Sequence, residues 1–197
     1  MNIGKKSKSK IADTQDLREM LTARKEQERV EGLKIVISQM TEGKDVGILF
    51  SEVLQCVATP NIDAKKLCYL YIMNYAKTQQ ENATRAIQAF LRDSNDPNPI
   101  VRALAIRTMG AIRVPKVTQE LYNPLTKALK DSDPYVRKTA AMCVAKLYFL
   151  NPDECVKHGF VNTLKELIFD SNHVVVANAL AALNEINEEI PCEVYDE

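Results

Sequence analysis

One segment of this chain recurs, and the recurrence limits the folds open to it. Residues 131–147 read DSDPYVRKTAAMCVAKL. Asp131, Ser132 and Asp133 suit a helix N-terminus, and Pro134 suits the first helical position. Val136, Ala140, Val144 and Leu147 then recur at steps of three and four, the spacing of one helix face. That seam is small or β-branched, so a second helix can approach closely. Placing Val101 under Val136 sets Ala105, Met109 and Ile112 under Ala140, Val144 and Leu147. Placing Val175 there sets Ala179, Leu183 and Ile186 in the same register. A fainter copy starts near Lys65, with Tyr69, Met73 and Ala76 on its face. The offsets are 36, 35 and 39 residues. A helical period of this length predicts an all-α solenoid of stacked helical pairs.

Charge and cysteine usage narrow the function. The formal net charge is zero, so no global field draws the chain to nucleic acid. The distribution is uneven. Residues 1–40 hold nine Lys/Arg and six Asp/Glu, and residues 184–197 hold six acids and no base. The five cysteines are odd in number, scattered and without a CxxC pair, which predicts reduced thiols on apolar helix faces. No apolar run approaches the roughly 18 residues of a spanning helix, and no signal-like segment opens the chain. A soluble cytosolic protein is expected.

Three regions follow. Residues 1–12 form a basic arm, MNIGKKSKSK being rich in Lys and Ser with little to bury. Residues 13–190 form the solenoid, and residues 191–197 an acidic tail. Within the solenoid, Asp13 to Glu42 reads as helix with a break near Arg24 and a left-handed cap at Gly43. Repeat pairs follow: Val46–Val57 with Ile62–Ala76, Glu81–Leu91 with Pro99–Ile112, Lys116–Lys130 with Pro134–Leu150, and Asp153–Phe169 with His173–Glu188. Pro124 predicts a kink or a late start in its helix, and Gly159 a break. Tyr71 and Tyr75 are candidates for core or for a groove, core being favoured. Arg102 and Arg137, one turn into their helices, are placed to hydrogen-bond carboxylates and carbonyls of the preceding turn, a structural ladder with Asp131 and Asp133. The last pair is expected to leave an apolar edge.

Catalytic signatures are missing. The two histidines, His158 and His173, have no ligand-like spacing to Cys, Asp or Glu. GxGxxG, GxxxxGK[ST] and GxSxG do not occur. No cofactor, metal or enzymatic activity is expected; binding along extended helix surfaces is.

Four strings go beyond a generic repeat: KKLCYLYIMNYAK (65–77), DPNPIVRALAIRTMG (96–110), DPYVRKTAA (133–141) and VVVANALAA (174–182). They resemble the β-adaptins, large subunits of the clathrin adaptor complexes, from about residue 12 to 186. The resemblance implies a right-handed superhelical trunk of HEAT/armadillo-like pairs. Its partners would be a second large adaptin, a medium subunit and a small subunit. Its place would be the cytoplasmic side of Golgi/endosomal or plasma-membrane coated vesicles, where such a core sorts cargo. Clathrin would be met only through hinge and appendage regions absent here, and nucleic acid not at all.

Two family sites transfer by position. The phosphoinositide or membrane site falls on Lys25, Arg29 and Lys34, with Lys5, Lys6, Lys8 and Lys10 in support. Glu26, Glu28, Val30 and Ile35 interrupt that run, and each acid offsets a neighbouring cation. An Arf-type GTPase contact falls on Thr84 and Ile87, Thr84 replacing an aliphatic residue. The alternatives are a stand-alone HEAT scaffold or transport receptor in the cytosol, and a membrane-docking module acting through the basic N-terminal region.

Overall fold

A computed structural model of the chain describes residues 13–188; the basic arm, the acidic tail, Cys192 and the four lysines at 5, 6, 8 and 10 lie outside the described residues. Among the described residues there are helices and turns and no strand. The chain divides into two compact units, the first ending at Tyr71 and the second beginning at Ile72.

In the first unit, α1 (Thr14–Thr22) and α2 (Glu26–Thr41) are separated by the break expected near Arg24. Asp13 caps α1 by accepting the Thr14 N–H. Gly43 ends α2 with a φ of 84°. The N–H groups of Gly43 and Lys44 then reach back to the carbonyls of Met40 and Gln39. This is a Schellman closure, and it needs a residue at ease in the left-handed region. The helices of this unit meet closely. A Cβ on Gly32 would stand 2.9 Å from Cβ of Met20. Leu17, Leu21, Leu33 and Val36 fill the contact.

The helix expected over Val46–Val57 is shorter. A 3₁₀ turn (Gly47–Leu49) precedes α3 (Phe50–Cys56). Asp45 accepts the Gly47 N–H at 2.9 Å, so a side chain claims the amide where the helix was expected to begin. α4 (Ile62–Tyr75) starts after the Thr59-Pro60-Asn61 turn and runs across the unit boundary. Tyr69, Tyr71 and Tyr75 are all buried, so no groove is lined by them. Tyr71 donates its hydroxyl to the Val46 carbonyl at 2.6 Å and meets Phe50 edge-on.

The second unit carries the clear repeats. α5 (Gln80–Arg85) and α6 (Ile87–Asp93) replace the single helix expected over Glu81–Leu91. Thr84 bonds back to the Gln80 carbonyl at 2.9 Å in the last turn of α5. The Ala86 N–H just beyond is shared between two carbonyls. α7 (Pro99–Ala111), α8 (Pro115–Ala128) and α9 (Pro134–Leu150) follow. α10 (Pro152–Lys157), α11 (Phe160–Leu167) and α12 (His173–Glu188) complete the unit. Gly159 makes the break between α10 and α11 at a φ of 69°. Pro124 does not delay its helix: α8 begins at Pro115 and runs through it. An interior proline costs about 3 kcal/mol; here its ring is buried, which offsets part of that.

α9 packs against α7 on one side and α12 on the other. The seams aligned in the sequence are the seams of this layer. Val101, Ala105, Met109 and Ile112 are buried, as are Val136, Ala140, Val144 and Leu147, and Val175, Ala179 and Ile186; Leu183 is half-buried. A Cβ on Gly110 would fall on the Sγ of Cys143, so α7 and α9 touch where both residues are small. α8 packs on both α7 and α9, α10 on α9, and α11 on α12, a second layer.

Candidate interaction surface

The repeated turns decide how rigid any binding face of the second unit is. Each follows one scheme. Asn98, Asp133 and Asn172 cap α7, α9 and α12 by accepting the N–H two residues on, at 2.9, 2.7 and 3.0 Å. Two residues earlier, Asp96, Asp131 and Asp170 each accept the N–H of that cap residue, at 2.8, 2.9 and 2.8 Å. Four residues after the cap, Arg102 donates to the carbonyls of Asp96 and Pro97 at 2.9 and 3.0 Å. Arg137 does the same to Asp131 and Ser132 at 2.8 and 3.0 Å.

The expected ladder is present, with one correction. The preceding turn supplies only carbonyls; the carboxylate comes from the following turn. Arg102 grips Asp131 through Nε and Nη2 at 2.8 and 2.7 Å. Arg137 grips Asp170 at 2.7 and 2.8 Å. The guanidinium fork leaves its helix toward the next repeat, so each arginine ties two turns together. Val176 occupies the corresponding place in α12.

The charges respond. Hydrogen bonding to Arg137 holds the Asp170 carboxyl below its usual range against the opposing effect of burial. Burial alone would raise Asp131, but Arg102, the Asp133 N–H and the charge of Arg137 together bring it below normal. Arg102 and Arg137 are raised by the same bonds. Burial pushes the thiols of Cys143 and Cys155 up to about 12 and that of Cys56 up to about 11. Cys68 is raised too, again by burial. These are core thiols, inert as nucleophiles.

The basic run on α2 is less exposed as charge than its composition suggests. Lys25 pairs with Glu28 at 3.1 Å and Lys34 with Glu31 at 3.9 Å. Arg29 is half-buried and donates to the carbonyls of Ala23 and Arg24 at 2.8 and 2.9 Å. Those acceptors lie six and five residues upstream, the same offsets used by Arg102 and Arg137. Arg29 therefore closes the α1–α2 corner as the later arginines close theirs. Sequence reasoning missed this, although the offset was visible once Arg102 had been assigned. It also missed Asp170, and the first-unit version of the turn, in which Thr59 accepts the Asn61 N–H and Asn61 accepts that of Asp63, at 3.1 and 3.0 Å.

Thr84 and Ile87 sit on either side of the Ala86 pivot. Ile87 is 5% exposed and Thr84 half-buried, so of the two Thr84 is the more accessible, and the exposed residues beside them are Arg85 and Gln88. Among the described residues no group of three or more His, Cys, Asp and Glu could hold a metal ion. No described helix is long and apolar enough to cross a membrane.

Comparison with known proteins gives this geometry a family. The model of the adaptin N-terminal region matches residues 9–195. The AP-1 complex subunit beta of Dictyostelium discoideum is 52% identical over 187 residues, 95% of this chain and 20% of that protein. The AP-1 complex subunit beta-1 of Homo sapiens is 54% identical over 176 residues, 89% of this chain and 18% of that one. The chain thus spans about a fifth of the length of these curated relatives. Two solved structures share the fold alone. A homology model of the full-length AP-3 complex in an intermediate open conformation gives a TM-score of 0.70 at 23% identity, covering 90% of this chain and 29% of that one. A designed armadillo repeat protein in complex with the peptide (KR)4 gives 0.63 at 20% identity, covering 87% and 81%. The fold is therefore an α-solenoid, and the chain belongs to the adaptin family, matching the N-terminal region as it occurs in β subunits.

Proposed function

We propose that this chain is a protein-binding trunk segment of a clathrin adaptor β subunit, acting in vesicle-mediated transport and cargo sorting. The identity of more than half the residues to AP-1 β subunits across nearly the whole chain carries the reading. The turn ladder supports it, because a scaffold must hold the spacing of its helices under load. Its partners are a second large adaptin, a medium subunit and a small subunit. It works on the cytoplasmic face of Golgi/endosomal or plasma membranes without crossing them.

Two finer contacts belong to the same proposal. Lys25, Arg29 and Lys34, with Lys5, Lys6, Lys8 and Lys10, face phosphoinositide headgroups. Each lysine near an anionic surface contributes about 1 kcal/mol, and the acids paired with Lys25 and Lys34 reduce that. An Arf-type GTPase docks beside Thr84 and Ile87. Affinity capture of the tagged chain from cytosol tests the main reading: the other three adaptor subunits should co-purify. Capture of none of them, with the chain recovered folded, sinks it in favour of a stand-alone scaffold.

A further inference from the structure

We propose that the cleft between the α7–α8 and α9–α10 corners binds the C-terminal end of a partner protein, taking the free carboxylate of an apolar last residue. The proposal stands on the second unit alone and does not depend on the adaptor reading.

The first observation is how the two corners build the cleft. Arg113, Pro115, Gln119 and Tyr122 line it from one side, and Leu150 and Asn151 from the other. The corners match. Pro115 and Pro152 open α8 and α10, and Val114 and Asn151 precede them as caps. Arg113 and Leu150 therefore hold equivalent places, each one residue before its cap, and both are exposed. One corner contributes a charge and the other an apolar wall. Tyr122 is held in place between them. Its ring stacks on His158 at 4.6 Å with an interplanar angle of 11°, and His158 stacks on the buried Phe160 at 5.5 Å. Asn151 donates Nδ2 to the Tyr122 hydroxyl at 3.3 Å. These contacts exist before a ligand arrives, which lowers the cost of ordering the site.

The second observation is the polar inventory of the lining. The Tyr122 oxygen accepts from Asn151, so its own O–H remains to donate. Arg113 and Gln119 are exposed, and neither side chain enters an ion pair or hydrogen bond among the described residues. Arg113 is the one charged residue of the lining, and no acid belongs to it. Glu120 on α8 and Asp153 on α10, the acids nearest along the chain, lie outside the lining. Glu154 is engaged by Lys157 at 3.0 Å and by His158 at 3.5 Å. The cleft therefore offers a guanidinium, an amide and a phenol to one anion, beside the apolar surfaces of Pro115 and Leu150.

Size sets the form of the ligand. Clefts for drug-sized molecules span about 300–1,000 Å³. This one, at about 260 Å³, holds little more than a single residue. A leucine inside a chain brings only neutral amides, and an internal acid brings its carboxylate without a branched apolar group. Both together on one residue occur at a chain end. Arg113 then pairs with the terminal carboxylate through its planar fork, and Pro115 and Leu150 cover the side chain. Capture of a terminal carboxylate by converging donors is a recurring mode of peptide recognition.

The probe is the peptide Gly-Ser-Gly-Ser-Leu with fluorescein at its N-terminus and a free C-terminus, titrated with the whole chain and read by anisotropy. Saturable binding is expected, weakening as salt rises. Amidation of the terminal carboxylate should weaken it more than about tenfold, about 1.4 kcal/mol. Arg113→Gln and Leu150→Ser should each do likewise, the far-UV spectrum staying unchanged because both side chains are exposed. Lys127→Gln, which removes a like charge from α8 outside the cleft, should leave binding as it was. Amide NMR shifts at saturation should centre on residues 113–122 and 150–152. An amidated peptide binding equally well, Arg113→Gln without effect, or no saturation by about 1 mM chain overturns the proposal. So does equal binding of amidated Gly-Ser-Leu-Glu-Ser, since the cleft would then read an internal acid and not a chain end.

Discussion

Arg137→Met is the perturbation that most directly tests the ladder. The substitution keeps the aliphatic stem and removes four hydrogen bonds: two to the Asp170 carboxylate and two to the carbonyls of Asp131 and Ser132. The two partner side chains are 14% and 8% exposed. Breaking a fully buried pair costs about 3–5 kcal/mol, and a fully exposed pair is worth about 0–1. A mostly buried pair with one edge in solvent should fall at about 2–3 kcal/mol. Asp170→Asn keeps an acceptor for Arg137 and for the Asn172 N–H, so its cost should be about 1 kcal/mol. The double variant should cost less than the sum of the two by about 1 kcal/mol or more, the signature of direct coupling. Urea unfolding followed by circular dichroism gives these energies. Hydrogen exchange then locates the effect, with protection lost around residues 168–176 before the rest of the second unit. A cost below about 0.5 kcal/mol for Arg137→Met, with protection at that turn intact, would refute the view that the ladder holds the repeats together.

Acid should act through the same residues. Asp131 and Asp170 have lowered carboxyl pKa values in the folded chain. Their contribution is present above the unfolded value of about 3.9 and is lost as pH falls through the folded values. The urea midpoint should drop steeply below about pH 4, and the D131N/D170N variant should show a shallower fall over the same window. Gly110→Ala should cost about 1–3 kcal/mol, because the added methyl lands on Cys143; Cys143→Ala in the same chain should recover part of the lost melting temperature. Iodoacetamide at pH 8 should leave Cys56, Cys68, Cys143 and Cys155 unlabelled by peptide mapping until denaturant is added, since burial keeps all four as neutral thiols.

Much of the fold was legible because capping and period spoke together. Pro134 with Asp133 marked the start of α9, and the aligned valines and alanines marked its buried seam. The positive-φ glycines also showed in sequence, Gly43 as a left-handed cap and Gly159 as a break. One misreading came where a side chain competes with backbone pairing. Asp45 takes the Gly47 amide and shortens α3. Such bonds depend on rotamers, which periodicity does not encode. The break at Ala86 between α5 and α6 has no such mark, since Thr84 bonds to its own helix as Thr108, Thr126 and Thr139 do in helices that run on. The direction of the arginine ladder was hidden for a reason related to the first. A sequence shows that Arg102 lies near Asp96, but the choice of Asp131 follows from how far the next repeat stands.

The same misdirection bears on the candidate lipid site. Arg29, counted there as a cation among Lys25 and Lys34, donates through Nη1 to the carbonyls of Ala23 and Arg24. Replacing it should loosen the α1–α2 corner by about 1–3 kcal/mol, as expected when carbonyls lose a charged donor. Weaker vesicle binding by an Arg29 variant would then report unfolding as readily as lost contact. Lys25 and Lys34 are free of that ambiguity, being exposed and held only by acids one turn away. The informative variants are K25E/K34E, which remove attraction, and E28Q/E31Q, which release it. If headgroups meet this face, sedimentation with phosphoinositide vesicles should fall with the first pair and rise with the second, at unchanged melting temperature. Movement with neither pair would mean that these cations serve only their own helix.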